Sequence, residues 1–335
     1  MMLVTRFVWA SLSASSVALA AACGGGPEVE GPAHEVVVVA SADRWSDLEQ
    51  AVRGAIERRV SGVSDERVFS IVHQEPYAEG WEERSRAPQI VAIGTAEDPW
   101  IQEVIAEAET QLHEPGLGRV LGVWAEGQVV NVLLLPEAGE GEDLEENLAA
   151  LYAQLHADFR AMVRADLYAS GAQNELADTL WENEGFGVLI PDTYAWSRTD
   201  STFLFWPEGE VQAGVERRIA VTWLSPAPSS LELEEVLAWR ERTAREHYGT
   251  PQRVTDRVTA ERLAFAGYVA LEIRGQWVRT AEGGEREVGS LLTRVAVCEG
   301  QNRAYLLDSW LHAPESVTYE YIVQLETILD TFRCE

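Results

Sequence analysis

The chain has 335 residues, 46% of them hydrophobic, and a formal net charge of −29. That apolar content is enough for a folded core, and the acidic field opposes phosphate backbones and anionic headgroups, which argues against nucleic acid as a partner. All 26 basic residues are arginine, so a Schiff base, a Walker-type phosphate loop and a serine-lysine dyad, each of which needs a lysine amine, are excluded.

The first residues carry one positive charge, Arg6, then an apolar stretch from Phe7 to Ala22 diluted by serines. This is the layout of a secretory signal and is shorter than the roughly 20 apolar residues that span a bilayer. Leu19-Ala20-Ala21-Ala22-Cys23 resembles a bacterial lipoprotein box, which predicts a signal over residues 1–22, lipidation of Cys23, and contact with a membrane through that anchor. Ordinary cleavage nearby is the alternative. Gly24, with no aspartate after the cysteine, points to the outer membrane, facing the periplasm. Residues 23–34, rich in glycine, proline and glutamate, read as a tether.

From Glu35 the run EVVVVAS predicts a strand buried on both faces. Trp45, Leu48, Val52, Ile56 and Val60 share one stripe of the helix that follows. RVFSIVHQ and PQIVAIGT read as strands, PWIQEVIAEAETQL as a helix opened by Pro99, and RVLGVWAEGQVVNVLLLPE as a hairpin turning near Glu126 and Gly127. Leu144, Leu148, Leu151, Leu155, Phe159 and Met162 mark the longest helix, which should back a sheet.

The second half reads as strands at GFGVLIP, STFLFWP and ERRIAVTWLSP, then the helix SLELEEVLAWRERTAREH. Three strands follow, AGYVALEIRGQWV, GSLLTRVAVCEG and RAYLLDSWLHAP, and the helix SVTYEYIVQLETILDTF closes the chain. The fold class is therefore mixed α+β or α/β, with two-layer sheets backed by helices, an N-terminal α/β domain over 35–170 and a C-terminal α+β domain over 171–335. Strand, helix, hairpin, helix occurs in both halves, so a duplicated unit is one reading and chance alternation the other.

None of the six histidines has metal-ligand spacing, and no dinucleotide loop or nucleophile elbow is legible, so no cofactor, metal or catalytic residue is assigned. His73 beside Glu75 is a weak general-base candidate, and His156 reads as a helix-flank residue. Twelve tryptophans raise the question of a sugar-stacking platform. Trp45, Trp239 and Trp310 follow apolar periodicities, whereas Trp81, Trp196 and Trp277 do not.

The densest polar feature is YVALEIRGQW. Alternation sets Val269, Leu271, Ile273 and Trp277 on one face and Ala270, Glu272, Arg274 and Gln276 on the other, with Gly275 permitting a bulge. A solvated strand face is the simpler account. A binding surface around Glu272, Arg274 and Trp277 is the functional one.

Cys298 and Cys334 are the pair left once Cys23 carries lipid, and export places them in an oxidising compartment. Cys298 ends a strand, and a closing helix lying antiparallel on the following strand would return Cys334 to the same turn. A disulfide is the expectation, with two separate buried thiols as the alternative.

LEIRGQWV, together with LIPDTYAW, TWLSP and the closing HAPES to QLETILDTF, resembles a family of uncharacterised bacterial envelope lipoproteins classed as a domain of unknown function. The resemblance runs from about Glu35 to Phe332. A Gly-Gly-Pro-Phe segment follows the RGxW motif in that family, where this chain has Val288-Gly289-Ser290-Leu291. It implies envelope anchoring and transfers no catalytic positions. The function expected is a lipid-anchored, non-catalytic binding or scaffolding module of the cell envelope, with a glycan or a protein as partner. The alternative is an envelope hydrolase acting on glycan or peptide.

Overall fold

The computed structural model describes residues 27–59, 67–137, 143–208, 214–265, 267–281, 283–313 and 318–334. Cys23, the leader and Val60 lie outside the described residues.

The first half builds one sheet from β1 (Glu35–Val39), β2 (Ser70–Gln74), β3 (Gln89–Gly94), β4 (Gly116–Leu121) and β5 (Val129–Leu134), in the order β2-β1-β3-β5-β4. The first four in that order are parallel, and β4 is an antiparallel edge. The valine run of β1 alternates between two cores, Val36 and Val38 on one face and Val37 and Val39 on the other. Helices α1 (Ala42–Ile56) and α4 (Leu144–Leu167) cover the first face. The second is covered by α3 (Pro99–Glu107), and the short α2 (Trp81–Arg84) sits at its margin. On α4 the buried stripe runs through Leu148, Leu151, Leu155, Phe159, Val163 and Leu167. It passes through Val163 where the sequence pattern had pointed to Met162, which is only half-buried.

The second half forms a fully antiparallel sheet in the order β10-β11-β12-β13-β9-β8-β7. Its strands are β7 (Tyr194–Thr199), β8 (Thr202–Pro207), β9 (Glu216–Leu224), β10 (Arg253–Phe265), β11 (Tyr268–Thr280), β12 (Arg286–Cys298) and β13 (Arg303–His312). Helix α6 (Leu233–His247) packs on one face through Val236, Trp239 and Ala244. The opposite face carries α5 (Asn174–Glu184), α7 (Thr318–Leu329) and the two-stranded pairing of β6 (Phe186–Gly187) with β14 (Arg333–Cys334).

The molecule is thus mixed α+β, with helices backing both faces of each large sheet. The recurring order of strand, helix, hairpin and helix is not a recurring fold. β3 meets β5 in parallel, whereas β9 meets β13 antiparallel and a four-stranded meander, β10 to β13, intervenes between α6 and α7.

Two further expectations change. The predicted tether is docked from Pro27 onward. The Pro27 carbonyl accepts from the Glu126 amide at 2.8 Å, Glu28 bridges Glu126, and Glu30 pairs with Arg86 at 2.9 Å. Strand β10 escapes the sequence reading because it is a mostly exposed edge strand, five of its thirteen residues charged, with no sustained apolar alternation to see. Its register shifts between Val254 and Val258, opposite Gly275, where a Cβ would lie 2.7 Å from the Arg257 carbonyl.

Helix α7 is buried nearly all round. Ile322, Leu325, Ile328 and Leu329 face the second sheet, while Tyr319 and Val323 enter the core beneath α4 and the first sheet. One helix therefore completes two cores. Among the described residues, no helix is long and apolar enough to cross a membrane.

Candidate functional site

Strand pairing sets Glu272 of β11 directly opposite Arg294 of β12. Arg274, two residues along β11, shares that face, and α7 lies above it. The result is a closed ring of alternating charge. Arg294 donates to Glu272 and to Asp330, each near 2.7 Å, and Arg274 donates to Glu272 at 2.7 Å and to Glu326. Arg160 of α4 donates to Glu326 and stands 3.9 Å from Asp330.

Three guanidinium groups and three carboxylates balance in charge, and only Arg160, Arg274 and Asp330 retain appreciable exposure. Burial pushes the Glu326 carboxyl up, but Arg274 and Arg160 outweigh it and hold the group below its ordinary value. Beside the ring His156 hydrogen-bonds the Tyr319 hydroxyl at 2.5 Å. Burial, then Arg160, lowers the imidazole pKa, and burial raises the Tyr319 hydroxyl to about 12.

The expected solvated face is therefore a covered one. Glu272 is 2% exposed because α7 closes over it, and both its carboxylate oxygens accept from arginines. Trp277 does not join Glu272 and Arg274 in one surface. It points to the opposite face, fully buried, edge-on to Trp310 at 5.5 Å, with its indole donating to the Ser290 carbonyl at 3.0 Å. Its cross-strand partner is Gly289, where a Cβ would come within 2.3 Å of the indole. That contact explains why glycine stands at this position.

His73 lies in the first sheet, stacked on Trp45 at 4.9 Å with Nε2 on the Ala40 carbonyl at 3.0 Å. It belongs to a different sheet from Glu272 and Arg274, so these polar groups do not converge. Cys298 and Cys334 are joined in a disulfide with Cα atoms 6.2 Å apart, within the usual bonding range.

A second buried polar cluster was not read from the sequence. Asp308 interrupts the apolar strand β13, and its carboxylate accepts from Arg240 at 3.2 Å, Tyr248 at 2.6 Å and Thr293 at 2.5 Å. Arg240 of α6 and Asp308 of β13 are wholly buried between the helix and the sheet. Burial, then Asp308, pushes the Tyr248 hydroxyl well above its ordinary value. The available signal was a lone aspartate within AYLLDSWL, matched by an arginine on the apolar stripe of α6.

Among the described residues, open grooves include one of about 330 Å³ over Arg160, Arg164 and Asp330 at the rim of the ring, and two larger ones. One, of about 760 Å³, lies between the segment leading into α6 and the outer strands, and includes Leu231, Tyr268, Val269, Val297 and Glu299. The other, of about 570 Å³, is formed by Pro27 and the hairpin tip from Leu121 to Gln128. Beside the second lies an aromatic cluster, in which Trp81 meets Tyr77 at 5.4 Å and Trp124 at 5.3 Å. Trp196 is 45% exposed and stands apart on β7. Among the described residues, no three histidine, cysteine or acidic side chains gather as metal ligands.

No curated protein matches the chain. Among solved structures, the Ran-binding protein Mog1p of Saccharomyces cerevisiae is 11% identical, with 45% of this chain aligned to 90% of that one at a TM-score of 0.31. LpqN of Mycobacterium tuberculosis, involved in cell envelope biogenesis, is 10% identical, with 44% of this chain aligned to 81% of that one at a TM-score of 0.27. The family resemblance read from Glu35 onward is narrower in the comparison with family models. Residues 173–331, which hold the whole antiparallel sheet with α5, α6 and α7, match a family described as a domain of unknown function, DUF4837.

Proposed function

We propose that the chain is a lipid-anchored protein of the bacterial cell envelope, held at the outer membrane on the periplasmic side, that works by binding or scaffolding without catalysis. The anchor rests on Leu19-Ala20-Ala21-Ala22-Cys23, where small residues precede a cysteine able to take a thioether lipid. One observation supports the non-catalytic reading. The carboxylate of the candidate strand YVALEIRGQW is spent in a neutral ring, where both oxygens of Glu272 are held by arginines. A general acid or base needs an exchangeable proton within reach of substrate, and a buried, doubly paired carboxylate offers none.

Labelled palmitate incorporated by the wild type and absent from Cys23→Ala is the expected result for the anchor. Equal labelling of both would reject it. Screening the acylated protein against envelope glycans, peptidoglycan and extracted envelope proteins should return binding without turnover. Hydrolysis of any of these polymers would reject the non-catalytic reading.

A further inference from the structure

We infer that the β4–β5 hairpin tip and the adjoining aromatic cluster form a membrane-seating face, which presses against the zwitterionic surface of the bilayer that holds the Cys23 lipid. The inference rests on the lipid anchor proposed above and adds to it an orientation.

Reach comes first. Pro27 is hydrogen-bonded to the hairpin tip and lines the same groove as Leu121, Val123 and Trp124. Cys23 precedes it by four residues, which span at most about 14 Å of fully extended chain. The headgroup layer on one side of a bilayer is itself about 5–7 Å deep, the difference between its total and hydrocarbon thickness. An acylated Cys23 therefore holds the hairpin tip within one or two headgroup layers of the bilayer. Because residues 27–30 are docked, the tip stays within that reach of the anchor, and its contact with the surface is intramolecular once the lipid is inserted.

Chemistry comes second. Leu121 at 59% and Tyr77 at 51% are among the most exposed large apolar side chains described, and Val123, Trp124 and Trp81 beside them are half-buried. Tryptophan and tyrosine settle at the headgroup level, where one end of the ring is apolar and the other wet. Here the polar ends converge on one carboxylate. Glu103 accepts from the Tyr77 hydroxyl and from the Trp124 indole, each at 2.7 Å.

The tip is also held rigid. The buried Gln128 side chain donates to the carbonyls of Ser85 and Ala87 at 2.7 and 2.8 Å and accepts from the Trp124 amide at 3.2 Å. Tyr77 holds a left-handed backbone at φ 60°, a conformation that disfavours a bulky side chain.

The charge around the face selects the lipid. Glu28, Glu79, Glu82 and Glu126 are exposed on the segments that carry the aromatic and apolar groups. Such a rim is repelled by anionic headgroups and tolerated by zwitterionic ones.

The experiment uses the acylated protein reconstituted in vesicles of phosphatidylethanolamine and phosphatidylcholine. Leu121→Cys is labelled with an environment-sensitive fluorophore, and Val269→Cys, 69% exposed on the second sheet, serves as the control. Both positions are surface sites, so labelling spares the core. Seating predicts several-fold weaker quenching by acrylamide and stronger quenching by brominated lipid at Leu121, with Val269 unchanged and the contrast reduced when phosphatidylglycerol is added. Equal aqueous exposure of both labels on protein that co-floats with vesicles would overturn the seating and leave the anchor standing. Protection of the Leu121 label without vesicles, or on adding soluble glycan, would overturn it in favour of another occupant. Absence of acylation on mass analysis would remove the anchor and this inference together.

Discussion

Glu272 shows how a residue's neighbours decide its role. On an isolated strand it is a surface carboxylate beside Arg274; with α7 above it, it becomes the centre of a closed ring. Replacing it by glutamine removes the charge opposite Arg294, which at 6% side-chain exposure keeps only the outer ring member Asp330 as a carboxylate partner. Breaking a buried pair from one side costs about 3–5 kcal/mol, and the partial exposure of Arg274 sets the expectation near the lower end, about 3 kcal/mol. Arg119 and Asp158 are the comparison, an ion pair at 2.7 Å whose arginine is 42% exposed. Arg119→Ala should cost no more than about 1 kcal/mol. Denaturant midpoints at unchanged slope measure both, and equal shifts would show that the ring contributes no more than a surface pair.

At the scale of elements, the C-terminal segment is secured twice. Strand β14 pairs with β6, and the disulfide ties Cys334 to the end of β12 across a sequence separation of 36. Closing a loop of that size is worth roughly 4 kcal/mol in the chain-entropy account, so the double variant Cys298→Ala/Cys334→Ala should lose up to that amount. The loss should appear in thermal unfolding, with faster amide exchange at Arg333 and Cys334. Between α4 and α7, His156 faces Tyr319, Tyr152, Arg160 and Glu326. Its folded pKa lies below the ordinary 6.5, so as pH falls through 6.5 the unfolded chain takes up a proton that the folded chain resists, and stability declines. Glu326 acts lower. Held below 4.5, it stabilises the fold above that value and loses its contribution as pH falls through its folded pKa. His156→Gln should flatten the pH dependence of stability just below neutrality and leave the acid limb intact. An unchanged curve from pH 7 downward would show that His156 does not carry it.

For the whole molecule, α7 is the coupling element. The two large sheets lie on either side of residue 170, yet Tyr319 and Val323 fill the core of the first while Ile322 and Leu329 fill that of the second. The charge ring likewise joins α4 to β11 and β12. Neither core is complete without the shared helix, so calorimetry should give one transition with equal calorimetric and van't Hoff enthalpies. Two resolved transitions would mean that the shared helix does not couple the sheets.

What the amino-acid order determines by itself is local. The valine run of β1, the stripes of α1 and α4 and the apolar face of α7 follow from periodicity, because side-chain direction repeats every 2.0 or 3.6 residues whatever the surroundings. A bond between Cys298 and Cys334 is one of two readings the sequence offers, and the return of α7 across the second sheet is what brings their Cα atoms to 6.2 Å. Tertiary structure decides the rest, because ring closure needs residues up to 170 positions apart, from Arg160 to Asp330, brought within ion-pairing distance. Alternation correctly separates Glu272 from Ile273, but which of the two faces is wet depends on where α7 lands. The same holds for Trp277, whose burial requires Gly289 opposite and Trp310 behind. It holds again at Pro27, where composition predicts a loose tether and the hairpin tip, about a hundred residues further along the chain, supplies hydrogen bonds that composition does not register.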